Sequence, residues 1–262
     1  MKAYLIALTT LTLVNCSNTA GTADNKSALP AAAADAVTDH TSGSCSNLIV
    51  FHEGAVIEGK NFDGKGNELS SQSTRISAVK EVAGVTIADA DISYSTSLNK
   101  NGGMHIQYKC DGKKLSMDLA SMMSNFSALK DAKTTATDLD FPINFTTGDK
   151  LPDATLTVDI QRRGLGIKTT VSYVNRKVEG KESVTTTAGT WTCYKITSDI
   201  VSKTDMTGGV NKSNPAVADM MNKQQPAKKS IIWFAPDFGL VRMDMYTGDE
   251  LTTRTDITAV KK

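Results

Sequence analysis

The chain has 262 residues, with 29 Lys and Arg against 28 Asp and Glu and a formal net charge of +1. That balance offers no basic field to hold nucleic acid and no single-sign run that would mark a charged tail. Aromatic residues are only 6%, so a core must rest on Val, Ile, Leu and the ten Met.

Met1-Lys2 gives a short positive start, and Tyr4 to Val14 is an apolar stretch diluted by Thr9, Thr10 and Thr12. The run is too short for a spanning helix, which needs ~20 residues, and has the layout of a secretory signal. Leu13-Val14-Asn15-Cys16 closes it, and a cysteine at that point is where a bacterial lipoprotein is cut and lipidated. Asn15 is a less usual neighbour there than Ala, Gly or Ser. The alternative is plain cleavage further on, at Ala20-Gly21-Thr22-Ala23, with Cys16 discarded. Lipidation of Cys16 would anchor the chain to a membrane effectively permanently, since each buried CH₂ contributes ~0.8 kcal/mol. Ser17 stands where an Asp commonly retains lipoproteins at the inner membrane, which points to the outer membrane. The expected location is therefore the bacterial cell envelope, facing the periplasm or the exterior.

Residues 17–44 are mostly Ala, Thr, Ser, Asp and Asn with one Pro, and read as a flexible tether. The expected layout is a lipoprotein signal peptide over 1–16, the tether over 17–44 and one antiparallel β domain over 45–262. Losing Lys2 with the leader leaves equal numbers of both charge signs. With Cys16 lipidated, Cys45, Cys110 and Cys193 remain. One disulfide is expected outside the cytoplasm. Of three pairings Cys110–Cys193 is favoured, because each lies within a strand-like run. The alternative is three small buried hydrophobes.

Period two dominates after residue 45. Met104, Ile106, Tyr108 and Cys110 alternate with His105, Gln107, Lys109 and Asp111, and Leu156, Val158 and Ile160 alternate with Thr157 and Asp159. Val241, Met243 and Met245 alternate with Arg242 and Asp244. Turn signals punctuate these runs at Asp63-Gly64-Lys65-Gly66-Asn67, Asn101-Gly102-Gly103, Asp111-Gly112, Glu179-Gly180-Lys181 and Tyr246-Thr247-Gly248-Asp249. The pattern predicts roughly ten to twelve strands, mostly joined as hairpins. The fold class is all-β with one or two short helices, a curved antiparallel sheet forming a barrel or a half-barrel clam. A two-sheet sandwich is the second choice.

Two segments break the pattern. Asp118 can cap a helix in which Leu119, Met122, Met123, Phe126 and Leu129 recur at helical spacing. Asn214-Pro215 opens another, with Val217, Met220 and Met221. Methionine is flexible and polarizable, so such helices suit a cavity for a greasy ligand, although each can equally pack on the sheet. Met122, Met123, Phe126, Met220 and Met221 are the candidate apolar-ligand residues.

No catalytic constellation emerges. His52-Glu53 lacks the second histidine of a zinc-protease helix, and no metal site or cofactor is expected. Ser-x-x-Lys occurs at Ser77-Lys80, Ser97-Lys100 and Ser127-Lys130, and only the last falls on a predicted helix, without a partner motif downstream. Asp63 to Glu68 does not place acids at calcium-loop positions and reads as a hairpin turn.

Several stretches carry a resemblance. They are Gly148-Asp149-Lys150-Leu151-Pro152-Asp153-Ala154, Val174-Asn175-Arg176-Lys177-Val178-Glu179-Gly180, Thr187 to Ile196 and Trp233 to Arg242. In this order, with the turn at Asp63 to Asn67, residues 45–262 resemble the TapB-like domains of unknown function, exported or lipid-anchored and frequent in Bacteroidetes. The longer stretch 203–226 and the absence of Pro after Cys45 depart from that pattern. The resemblance implies a curved antiparallel sheet and carries over no catalytic residue. The expected function is a non-enzymatic envelope lipoprotein that binds a lipid, lipidated protein or other apolar ligand in a concave face. The alternative is a structural or partner-binding subunit of an envelope assembly.

Overall fold

The computed structural model describes residues 44–96, 102–123, 132–162, 164–208 and 228–262. Two 3-10 turns, Cys45–Asn47 and Ile49–Phe51, precede the strands. These are β1 (Val56–Asp63), β2 (Glu68–Val82), β3 (Val85–Thr96), β4 (Gly102–Cys110), β5 (Lys114–Asp118), β6 (Lys133–Ala136) and β7 (Leu139–Pro142). They continue as β8 (Ala154–Arg162), β9 (Leu165–Thr186), β10 (Gly189–Gly208), β11 (Lys228–Ala235), β12 (Gly239–Thr247) and β13 (Glu250–Lys261). All thirteen form one antiparallel sheet in the order β6-β8-β9-β10-β11-β12-β13-β1-β2-β3-β4-β5-β7. A single sheet excludes the sandwich.

The two edges of this sheet are β6 and β7, and only Thr137 and Asp138 separate them in the chain. Two residues span well under 10 Å, so the sheet has to curl until its first and last strands are neighbours. It stops short of a closed barrel: β6 pairs with β8 and β7 with β5, and no ladder joins β6 to β7.

A buried arginine draws this seam together. Arg176 lies within β9 and is 2% exposed. Its guanidinium donates to the carbonyl of Asp140 in β7 at 2.8 Å and to that of Pro152, just before β8, at 2.7 Å. It also lies over the Phe141 ring at 5.2 Å, and its own carbonyl accepts from the Leu151 amide at 2.9 Å. Burial lowers its pKa to about 10. The stretch expected to turn at Glu179-Gly180-Lys181 is instead continuous strand. Its pairing with β10 is irregular at Glu179, which is bulged out of register, and again around Asn175, which adopts φ +54° and H-bonds Asp199.

The other turns follow their local chemistry. The Asp63 carboxylate accepts from the amides of Lys65 and Asn67 and from the Asn67 side chain, a self-capped hairpin turn. A Cβ on Gly64 would sit 1.9 Å from the Leu251 carbonyl, so this turn tolerates only glycine there. The β2–β3 turn, at Ala83-Gly84, was not signalled. Both residues have positive φ, at 51° and 80°, as a two-residue hairpin that follows the sheet twist requires. Asp118 does cap, accepting from the amides of Ala120 and Ser121, but the described turn is a 3-10 turn, Ser121–Met123, rather than an α-helix. The rest of that expected helix, and the whole of the one from Asn214, lie outside the described residues.

The main core fills the concave face. It joins Ile57, Ile76, Ile106, Tyr108, Leu115, Phe141, Phe145, Val178, Tyr194, Ile196, Ile232, Phe234 and Ile257. Phe141 stacks on Phe234 at 5.3 Å, and Phe145 meets Phe234 edge-on at 5.4 Å. Leu48 to Phe51 complete it from inside. Four consecutive apolar residues read as a strand, yet here they wind through two 3-10 turns and bury all their sides. They act as a plug rather than a ladder, held by the Ile49 amide on the Phe238 carbonyl at 3.0 Å.

The disulfide corrects the expected pairing. Cys110 bonds Cys45, with Cα atoms 5.9 Å apart, and Cys193 is free and buried. Cys110 faces the main core at the end of β4, whereas Cys193 faces a second cluster with Val184, Trp233, Ala235 and Val241 on the outer side of the sheet. Two cysteines on opposite faces cannot reach each other. The bridge closes a separation of 65 residues and ties the plug to β4, which the chain-entropy model values at about 4 kcal/mol. Replacing both Cys45 and Cys110 by Ala is expected to lower the thermal midpoint by roughly 10 °C. Peptide mapping of the oxidised chain is expected to recover a Cys45–Cys110 cross-link and a free thiol at Cys193. Recovery of a Cys110–Cys193 cross-link would contradict this arrangement.

Candidate ligand site on the concave face

The inner face continues past the plugged core along β9 to β13. Antiparallel pairing sets side chains in rows across it, and steps of two along each strand keep the same face. One row runs Ile196, Ile232, Met243, Thr255, Asn61 and Ser70. The next runs Ser198, Ser230, Met245 and Thr253, and the next Tyr173, Ile200, Lys228 and Thr247. Ile196 and Ile232 are fully buried in the core, whereas Met243, Met245, Ile200, Tyr173 and Val171 are half-buried. The apolar surface therefore extends along the inner face past the fully buried core.

Two polar groups sit in these outer rows. Ser230 is 1% exposed and its hydroxyl has no hydrogen-bond partner. An unpaired buried hydroxyl costs about 1–3 kcal/mol. Lys228, two residues earlier on the same face, is half-buried and has no ion-pair partner among the described residues, and burial lowers its pKa. Among the described residues the inner faces of β10 to β13 carry one other charged side chain, the exposed Glu250, which pairs with Thr247 in the row of Lys228. The other charges of these strands lie on the outer face. There Arg254 makes a two-pronged contact with the fully buried Asp244, at 2.8 and 2.7 Å. Arg242 pairs with Asp256 and lies over the Trp233 ring, and the Trp233 indole donates to Glu182.

The expected ligand residues divide. Met122 is half-buried against the main core and Met123 is buried, both in the 3-10 turn after Asp118. The Ser121 hydroxyl accepts from the Gln107 amide and seats that turn on β4. Phe126, Met220, Met221 and the lipidation candidate Cys16 lie outside the described residues. Sequence reasoning saw the Met243–Met245 alternation without giving it a role. It missed Ser230 and Lys228, because a Lys-Lys-Ser triplet reads as solvated surface.

On the outer face His105 stands between two acids. His105 Nδ1 lies 3.2 Å from Asp91 and Nε2 lies 3.4 Å from Asp89, so both ring nitrogens are engaged by acids. The nearby Ser93 hydroxyl donates to the Ser73 carbonyl instead. Among the described residues no three His, Cys, Asp or Glu are placed to share a metal ion. Ser127 and Lys130 lie outside the described residues. Burial raises the Cys193 thiol to about 12, which removes it as a nucleophile at neutral pH.

The unpaired lysine has a consequence for stability. Its folded pKa lies below its unfolded value, so the unfolded chain holds the proton more firmly. The unfavourable contribution is complete at neutral pH and disappears as pH rises through the folded pKa past the ordinary lysine value. Lys228→Met is therefore expected to leave the thermal midpoint of the ligand-free protein at pH 7 unchanged or raised. A clear fall in that midpoint would show that the ammonium is stabilising where it sits.

Comparison with known proteins supports the architecture. A crystal structure from Bacteroides fragilis NCTC 9343, described as a "putative exported protein with YmcC-like fold", aligns with TM-score 0.60 and 18% identity, over 84% of this chain and 100% of that one. A "putative lipoprotein" from Parabacteroides distasonis ATCC 8503 aligns with TM-score 0.59 and 20% identity, over 85% and 100%. At these identities the likeness concerns the fold. No curated protein matches the sequence. The DUF3108-like family model matches residues 52–256, from just after the plug to the middle of β13, and the chain belongs to that family, whose function is not established.

Proposed function

We propose that this chain is an exported envelope lipoprotein whose concave face holds an apolar or amphipathic chain. The observation that supports the reading is the strip of Met243, Met245, Ile200 and Tyr173, which continues the core along the inner face and is only half-buried. A fully packed interior would argue against a ligand. Methionine there suits a ligand of irregular shape. Export is supported by the Cys45–Cys110 disulfide, which persists in oxidising compartments, and by the descriptions of the two similar structures. Within this reading Cys16 carries the lipid and anchors the protein at the outer membrane, in keeping with the TapB-like resemblance. No catalytic role is assigned.

One observation favours a second reading, a partner-binding subunit of an envelope assembly. The outer face of β1 to β4 has an open hollow of about 600 Å³ lined by Val56, Ser73, Arg75, Asp91, Ser93 and Gly103. Arg75 is exposed there without an ion-pair partner.

The two readings separate by native mass spectrometry of the full chain released from its own membranes. The ligand reading predicts an adduct of lipid mass beyond the Cys16 modification, lost on Met243→Asp and kept on Met243→Leu. A bare protein mass for the wild type, with a fixed protein partner co-purifying, would overturn it in favour of the second.

A further inference from the structure

We infer that the concave face selects an amphiphile with an anionic head, a single-chain carboxylate being the simplest, and that Lys228 and Ser230 are its head-group residues. This inference rests on the ligand reading above and adds the chemistry of the ligand. Three observations converge. Ser230 is 1% exposed with no partner for its hydroxyl. Lys228 is half-buried, has no ion pair among the described residues and sits one row further out on the same face of β11. Both are flanked by apolar side chains in register, Met245 beside Ser230 and Ile200 beside Lys228, with Tyr173 beyond Ile200.

The charge pattern gives the selectivity. Elsewhere in the sheet three cations of the neighbouring strands are paired on the outer face: Arg254 with Asp244, Arg242 with Asp256 and Lys203 with Asp205. Lys228 is the one cation that faces inward on β10 to β13 among the described residues, with Thr247 as its neighbour on β12 and the exposed Glu250 two strands away at the start of β13 as the acid of its row. An ammonium bordered by apolar surface strengthens its attraction for an anion, because the local dielectric is low. A hydroxyl without a partner donates to the same oxygen at little reorganisation cost. An acyl chain would lie along Met245, Met243 and Ile200 while its head meets Lys228 and Ser230. A neutral head of equal chain length would leave the ammonium unpaired.

Equilibrium dialysis of the full chain against radiolabelled palmitate and, in parallel, radiolabelled hexadecanol tests this, since the two share a chain length and differ in head charge. The expected result is palmitate binding about tenfold tighter than hexadecanol, the size of one charge-assisted contact. Lys228→Met should bring palmitate to the hexadecanol level, and Lys228→Arg should keep the preference. Ser230→Ala should weaken palmitate while leaving hexadecanol unchanged. Equal binding of both probes by the wild type would overturn the anionic-head inference and leave the ligand reading standing. Binding of neither probe would overturn both. Retained preference in Lys228→Met would place the head elsewhere and overturn the assignment of these residues.

Discussion

A buried guanidinium holds the two ends of this sheet together, and the concave face exists because it does. Strand pairing alone propagates a sheet and leaves its edges open. Here the edges are four-residue strands connected by two residues, and their backbones do not pair. Arg176 reaches from β9 to carbonyls on both sides of that seam. A buried charge is tolerated only where hydrogen bonds replace its water, so the ion specifies its own surroundings. Phe141, stacked between the guanidinium and Phe234, transmits that constraint into the core. Curvature, core and inner face thus share one polar origin.

Within the curved sheet the inner face divides into two regions with different physics. The plug, pinned by Cys45–Cys110, turns one end into a close-packed core of buried aliphatic and aromatic residues. Further along the same strands the face keeps its apolar character with several half-buried side chains, and among the described residues it holds a buried hydroxyl without a partner and a half-buried ammonium without an ion pair. Such groups lower stability wherever no ligand completes them. Their occurrence two residues apart on the inner face of one strand is what separates this strip from ordinary packing.

Much of the architecture was legible in the chain. The alternation of Met104, Ile106, Tyr108 and Cys110 is the inner face of β4, and Pro236 falls between β11 and β12 as a residue without an amide proton must. Other features resisted for physical reasons. Leu48 to Phe51 carry no period, so a plug and a strand look alike. The expected turn at Glu179-Gly180-Lys181 vanished because β9 and β10 run on as strands of 22 and 20 residues, and local turn residues lost to a long ladder. Cys110 and Cys193 lie in equally strand-like runs, and only the fold shows that the sheet separates them. For the site, the Met-rich alternation of β12 was visible, but Lys228 and Ser230 gain meaning only from the register that sets them beside Ile200 and Met245. Arg176 lay inside a recognised motif, yet nothing in its neighbours distinguishes a buried arginine from an exposed one.

The most direct test of the seam is hydrogen exchange on the full chain, comparing wild type with Arg176→Met, which keeps much of the side-chain volume and removes the donors. The account predicts that amides of β6, β7 and residues 151–154 lose protection while those of the β2–β3 hairpin keep theirs. Unchanged protection at both edge strands would show that the sheet holds its curvature without the arginine, and would contradict the account.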